Sequence, residues 1–105
     1  MLFSTGSAEL GPQSRLVLDA AAQRIRTAKP AAVTVTGYTD TIGGRPTNGT
    51  LAGQRAGAVA AALRARLGAA APPIMVTSRG QSDPVATNAT AEGRQQNRRV
   101  TIAAP

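Results

Sequence analysis

The 105 residues include no cysteine and no histidine, and only two aromatic side chains, Phe3 and Tyr38. Without thiols or imidazoles there can be no disulfide, no thiolate or imidazole metal site, no cysteine nucleophile and no Ser-His or Cys-His machinery. Acidic groups are scarce too. Glu9, Asp19, Asp40, Asp83 and Glu92 are the whole supply, which leaves almost no room for two-carboxylate hydrolysis. The composition therefore speaks against an enzyme and implies no cofactor and no metal. No stretch approaches the roughly 20 consecutive apolar residues of a membrane span. The opening Met1–Gly6 lacks the basic region and apolar run of a signal peptide.

What is abundant is alanine and arginine. Apolar residues make up 42% of the chain, and 22 of them are alanine, so the core is expected to be thin and built from Leu, Ile, Val and Ala. The length suits one domain. Twelve basic residues, eleven of them arginine, against five acidic ones give a net charge of +7.

The pattern of breakers and apolar periods gives an order of elements. Leu2–Thr5 is a short strand candidate stopped by Gly6-Ser7. Residues 12–28 read as a helix, with Pro12 suited to a first position and Leu18, Ala22, Ile25 and Ala28 on one face. Lys29 and Pro30 end it. The β-branched run through Val33-Thr34-Val35-Thr36 to Tyr38 is a strand, and Thr39–Gly49 is a turn-rich loop. A second helix is expected from about Thr50 to Leu67, with Leu51, Arg55, Val59, Leu63 and Leu67 at steps of four and Gly68 as its left-handed cap. Ile74–Thr77 is a third strand, a polar loop runs through Pro84 and Asn88, and Arg99–Ile102 is the last strand. The order β-α-β-α-β-β predicts an α/β (α+β) two-layer sandwich, with two main helices on one face of a mixed sheet.

Two charged residues stand out. Asp40 comes just beyond the C-terminal end of a strand, the edge at which ligands of α/β sheets bind; an Asx turn that fixes the loop is the competing reading. Arg55 falls on the apolar face of the second helix, where an unpaired cation is costly. Helical side chains lean toward the N-terminus, which aims Arg55 at the loop carrying Asp40. A simple Asp40–Arg55 ion pair would explain both. Asn48 suits a cap of the second helix or a ligand loop, with capping the safer assignment. The segment Gly93–Val100 holds three arginines, and with the net charge it raises a basic nucleic-acid-binding domain as an alternative. The near absence of aromatics to stack bases argues against it.

Taken together, these segments resemble the OmpA-like C-terminal domain, found in outer-membrane porins, peptidoglycan-associated lipoproteins and flagellar stator subunits. The resemblance runs from Phe3-Ser4-Thr5-Gly6 through Val35-Thr36-Gly37-Tyr38-Thr39-Asp40. It continues in Asn48, Leu51 and Gln54-Arg55-Ala56, and ends in Gly80, Pro84-Val85-Ala86, Asn88 and Gly93–Val100. Tyr38 replaces the histidine common before Thr-Asp, and Ala52 stands where serine is usual.

The resemblance implies a non-catalytic peptidoglycan-binding domain spanning 1–105, excised from a longer envelope protein that it anchors to the cell wall. It implies a location in the cell envelope, no membrane insertion by this domain and no nucleic-acid partner. The implied ligand is the meso-diaminopimelate residue of the stem peptide. That side chain ends in a zwitterion, which one fixed anion and one fixed cation can recognise. The resemblance assigns these roles to Asp40 and Arg55, adds Asn48, Leu51, Thr5 and Gly6 as lining residues, and leaves Arg98 and Arg99 mainly to fold support.

Overall fold

The computed structural model describes residues 11–39, 45–80 and 86–103. Helix α1 (Pro12–Ala28) opens with proline in its first turn, where a missing N–H costs nothing. It closes on Lys29, whose backbone is left-handed (φ 48) and whose N–H donates to the Ile25 carbonyl at 2.9 Å. Pro30 then prevents continuation. Strand β1 (Val33–Tyr38) follows, then helix α2 (Arg45–Leu67). Gly68, at φ 55, leads into a 3-10 turn (Gly68–Ala70). Strand β2 (Ile74–Gly80), helix α3 (Ala91–Asn97) and strand β3 (Val100–Ala103) complete the described chain.

The sheet is mixed, in the order β2-β1-β3, with β2 parallel and β3 antiparallel to β1. Alternation along β1 divides its faces. Val33, Val35 and Gly37 are buried, while Thr34, Thr36 and Tyr38 are half-buried. Val33 and Val35 join Leu18, Ala22 and Ile25 of α1, Val59, Leu63 and Leu67 of α2, and Val100 of β3 in one core. Both long helices thus serve the same side of the sheet. The stripe at steps of four in α2 is doubled by a row of small residues, Ala52, Ala56 and Ala60, each without exposed surface. Those alanines let the helix lie close to the strand.

Three expectations are corrected. The second helix starts at Arg45 rather than Thr50, so Asn48 lies within it and does not cap it. Pro46 fits the first turn because donors there have no intrahelical acceptor. The poor helix formers Asn48 and Gly49 are carried by the alanine-rich remainder and by packing, including a Ser78 hydroxyl that donates to the Gly49 carbonyl at 2.7 Å. The segment read as continuing from a polar loop contains α3, capped by Thr90, whose hydroxyl accepts from the Gly93 N–H at 3.0 Å. Ala28 is exposed, and Ser14 joins Leu18, Ala22 and Ile25 on the inner face of α1. The expected strand Leu2–Thr5 lies outside the described residues.

Candidate ligand-binding site

The candidate residues centre on the C-terminal end of β1 and the first turns of α2. Of the residues named, Thr5, Gly6 and Asp40 lie outside the described residues. Asn48 belongs to the backbone of α2, less than a turn before Leu51, which is half-buried. Arg55 follows Leu51 by four residues and is 0% exposed, the largest fully buried side chain among the described residues.

A guanidinium carried fully out of water is expensive unless its charge and donors are answered. Arg55 leans toward the helix N-terminus, as its place in α2 dictates. Its Nη1 donates to the carbonyl of Tyr38 at 3.5 Å, a long bond and not its only interaction. The cation is thereby delivered to the last residue of β1. The next residue, Thr39, is buried, and its hydroxyl has no hydrogen-bond partner among the described residues. Asp40 follows it in sequence.

Close packing makes this approach possible. A Cβ built on Gly37 would lie 1.9 Å from the carbonyl oxygen of Ala52, so backbone meets backbone where α2 crosses β1. One turn further along the helix is the distance from Ala52 to Arg55. The glycine is what permits a helix side chain to reach the strand end.

The other side of Tyr38 is held by Arg99, the residue just before β3. Its N–H donates to the Arg99 carbonyl at 2.8 Å, and the Arg99 guanidinium carbon lies 3.7 Å from its ring centroid, a cation–π stack. Arg98, one residue earlier, sits at the C-cap of α3, and neither arginine lies within β3.

Asn97 was visible in the sequence only as part of a motif, and its work is structural. It is fully buried. Its amide donates to the Ala86 carbonyl and to Asn88 Oδ1, both at 2.9 Å, and its Oδ1 accepts from the Ala86 N–H at 3.1 Å. Arg94 adds a bond to the Asn88 carbonyl at 3.0 Å. Together they tie the 86–88 segment to α3.

Arg15, Arg24, Arg26, Lys29, Arg64 and Arg79 are exposed, and several basic side chains make local contacts at the surface. Arg64 donates to the Ile74 carbonyl, Arg66 to Asp19 and Ala62, and Arg26 to the Arg66 carbonyl. A cleft of about 490 Å³, lined by residues that include Ile25, Arg26, Lys29, Pro30 and Pro73, lies at the opposite end of β1 and contains no residue of the site. Among the described residues there is no cluster of metal-ligating side chains, and no helix is long and apolar enough to cross a membrane.

Comparison with known proteins gives this arrangement its context. The sequence matches the OmpA family over residues 2–98. It is 42% identical over 100 residues to the probable lipoprotein YiaD of Escherichia coli, covering 95% of this chain and 45% of that protein. It is 41% identical to the peptidoglycan-binding protein ArfA of Mycobacterium tuberculosis, covering 95% of this chain and 30% of ArfA. The chain therefore spans less than half the length of either relative. Among solved structures, the cell wall anchor of the type VI secretion system (T6SS) from Pseudomonas aeruginosa superposes with a TM-score of 0.80 at 38% identity, covering 96% of this chain and 72% of that one.

Proposed function

The chain belongs to the OmpA family, and from that premise we propose that it is a non-catalytic module that binds peptidoglycan and anchors a larger envelope protein to the cell wall. Relatives described as a peptidoglycan-binding protein and as a cell wall anchor support the reading. The observation that carries it is the burial of Arg55 at the end of β1, immediately before Thr39-Asp40. A fold that needed only stability would gain more from an apolar side chain there, since a buried guanidinium repays its desolvation only with good partners.

The ligand is the meso-diaminopimelate side chain of the stem peptide. Its free end carries an ammonium and a carboxylate. Asp40 accepts hydrogen bonds from the ammonium, and the guanidinium fork of Arg55 meets the carboxylate with two parallel bonds. N–H groups in the first turn of α2 add donors on the carboxylate side. Asn48, Leu51, Thr5 and Gly6 line the pocket. Recognition needs no bond making or breaking, and the chain's few carboxylates are spent on charge rather than proton transfer.

Calorimetry at physiological salt tests this, with a diaminopimelate muropeptide in one arm and an oligonucleotide in the other. The reading expects binding of the free-acid muropeptide, binding weaker by about tenfold or more when its carboxylate is amidated, and no comparable affinity for the oligonucleotide. Equal affinities for the two muropeptides would remove the carboxylate role from Arg55. Tight, steeply salt-dependent oligonucleotide binding would favour the nucleic-acid alternative.

A further inference from the structure

We propose that Tyr38 and Arg99 form a positioning pair that sets the spacing between the anionic and cationic halves of the ligand site. The inference rests on the peptidoglycan reading above and assigns residues that the reading does not use.

Through Gly37, β1 pairs with β2 in regular register, Val33 with Ile74 to Gly37 with Ser78. The register then shifts, and Tyr38 pairs with Gly80. At the very residue where the chain is about to leave the sheet, the parallel ladder is irregular and fixes the strand end less firmly. Gly37, one residue earlier, has no side chain to lock it. The grip comes instead from Arg99, immediately before β3. The Arg99 carbonyl takes the Tyr38 N–H at 2.8 Å, and the Arg99 guanidinium covers the Tyr38 ring at 3.7 Å. A planar guanidinium on an aromatic face resists sliding in a way that a single hydrogen bond does not.

Tyr38 is also the residue whose carbonyl receives Arg55. One residue thus touches the buried cation through its carbonyl and carries, two residues on, the carboxylate of Asp40. A shift of Tyr38 would move the carbonyl that receives Arg55 and the point from which the chain runs on to Asp40, and with them the spacing of the two charges. Arg99 meets Tyr38 through both its carbonyl and its guanidinium. It acts through Tyr38, so it governs how well a zwitterion fits rather than whether an anion or cation is attracted.

That distinction makes the test specific. Free-acid and amidated diaminopimelate muropeptides are titrated into the wild-type chain, Tyr38→Leu, Arg99→Gln, the double variant and Tyr38→Phe, each held well below its thermal midpoint. The preference for the free acid is a ratio of two affinities measured on one sample, so loss of folded material cancels from it. The expected result is a fall in that preference of about fivefold or more in Tyr38→Leu and in Arg99→Gln. The double variant should do no worse than either single change, and Tyr38→Phe, which keeps the ring, should rescue the preference. An undiminished preference in both single variants, or fully additive losses in the double, overturns the positioning pair while the function stands. A wild-type chain that binds neither muropeptide overturns both.

Discussion

Strand β1 and helix α2 touch through bare backbone at Gly37 and Ala52, where a Cβ on the glycine would stand 1.9 Å from the alanine carbonyl oxygen. No rotamer relieves that contact, because both partners are main chain. Gly37→Ala must push α2 away from the sheet, which opens the core around Val35 and Ala56. The expected cost is about 2–3 kcal/mol, equivalent to a melting temperature lower by about 10–20 °C in a domain of this size. Thermal unfolding followed by circular dichroism measures it. A variant melting within a few degrees of wild type would show that the helix does not need this approach.

Asn97 anchors the 86–88 segment with three hydrogen bonds from a fully buried amide. Asn97→Asp keeps the acceptor that faces the Ala86 N–H but replaces the amide donor with a second acceptor, set against two oxygens, the Ala86 carbonyl and Asn88 Oδ1. Burial and those acceptors raise the folded-state pKa of the new carboxyl above its unfolded value. The penalty is therefore largest at neutral pH and shrinks as the pH falls and the carboxyl is protonated. Asn97→Ala loses the same bonds, about 2–4 kcal/mol, without acquiring this pH dependence. Denaturant midpoints for both variants across the acid range make the comparison. Parallel pH profiles for the two would contradict the assigned bonds.

The parts of the fold that were legible in the sequence are those whose burial follows an apolar period. Leu18, Ala22 and Ile25 marked α1, Val59, Leu63 and Leu67 marked α2, and the β-branched run Val33-Thr34-Val35-Thr36 marked the strand that the structure places at the centre of the sheet. Helix α3 was hidden because its buried residues are Gly93 and Asn97, which carry no hydrophobic signal. Gly93 is small because a Cβ there would meet the Thr87 carbonyl oxygen at 1.9 Å, a constraint that only the folded chain reveals. The early start of α2 was obscured by Pro46, Asn48 and Gly49, turn formers by propensity that tertiary packing overrides. Arg55 was legible as a charge in the wrong place on an apolar stripe, and its interior position bears out that reading of the helix face. Its contact with Tyr38 was not, because it depends on how closely two backbones approach at Gly37.

The Asp19–Arg66 pair offers a contrasting expectation. Arg66 Nε lies 2.7 Å from Asp19 Oδ1, linking α1 to α2, but the carboxylate side chain is 65% exposed. Such a pair is screened by water and salt, and Arg66 has a second acceptor in the Ala62 carbonyl. Asp19→Asn should change stability by about 0.5 kcal/mol or less, and the difference should fade further in high salt. Chemical denaturation at low and high ionic strength checks this, and a loss of several kcal/mol would mean that the two helices depend on the pair for their docking.

The most direct test of the account is a double-mutant cycle on Asp40 and Arg55. Asp40→Asn and Arg55→Ala, singly and together, are titrated by calorimetry with a free-acid diaminopimelate muropeptide, and the folded fraction of each variant is checked by circular dichroism. Asp40→Asn removes charge while keeping size and turn-forming capacity, so its loss of affinity should be about ten- to hundredfold with little change in melting temperature. Two residues serving one zwitterion should show non-additive losses, because once either charge is gone the ligand no longer sits where the other can hold it. The account predicts a double variant scarcely weaker than the weaker single one. Strictly additive losses, or an Asp40→Asn chain that is destabilised yet binds as tightly as wild type once folded, would contradict it.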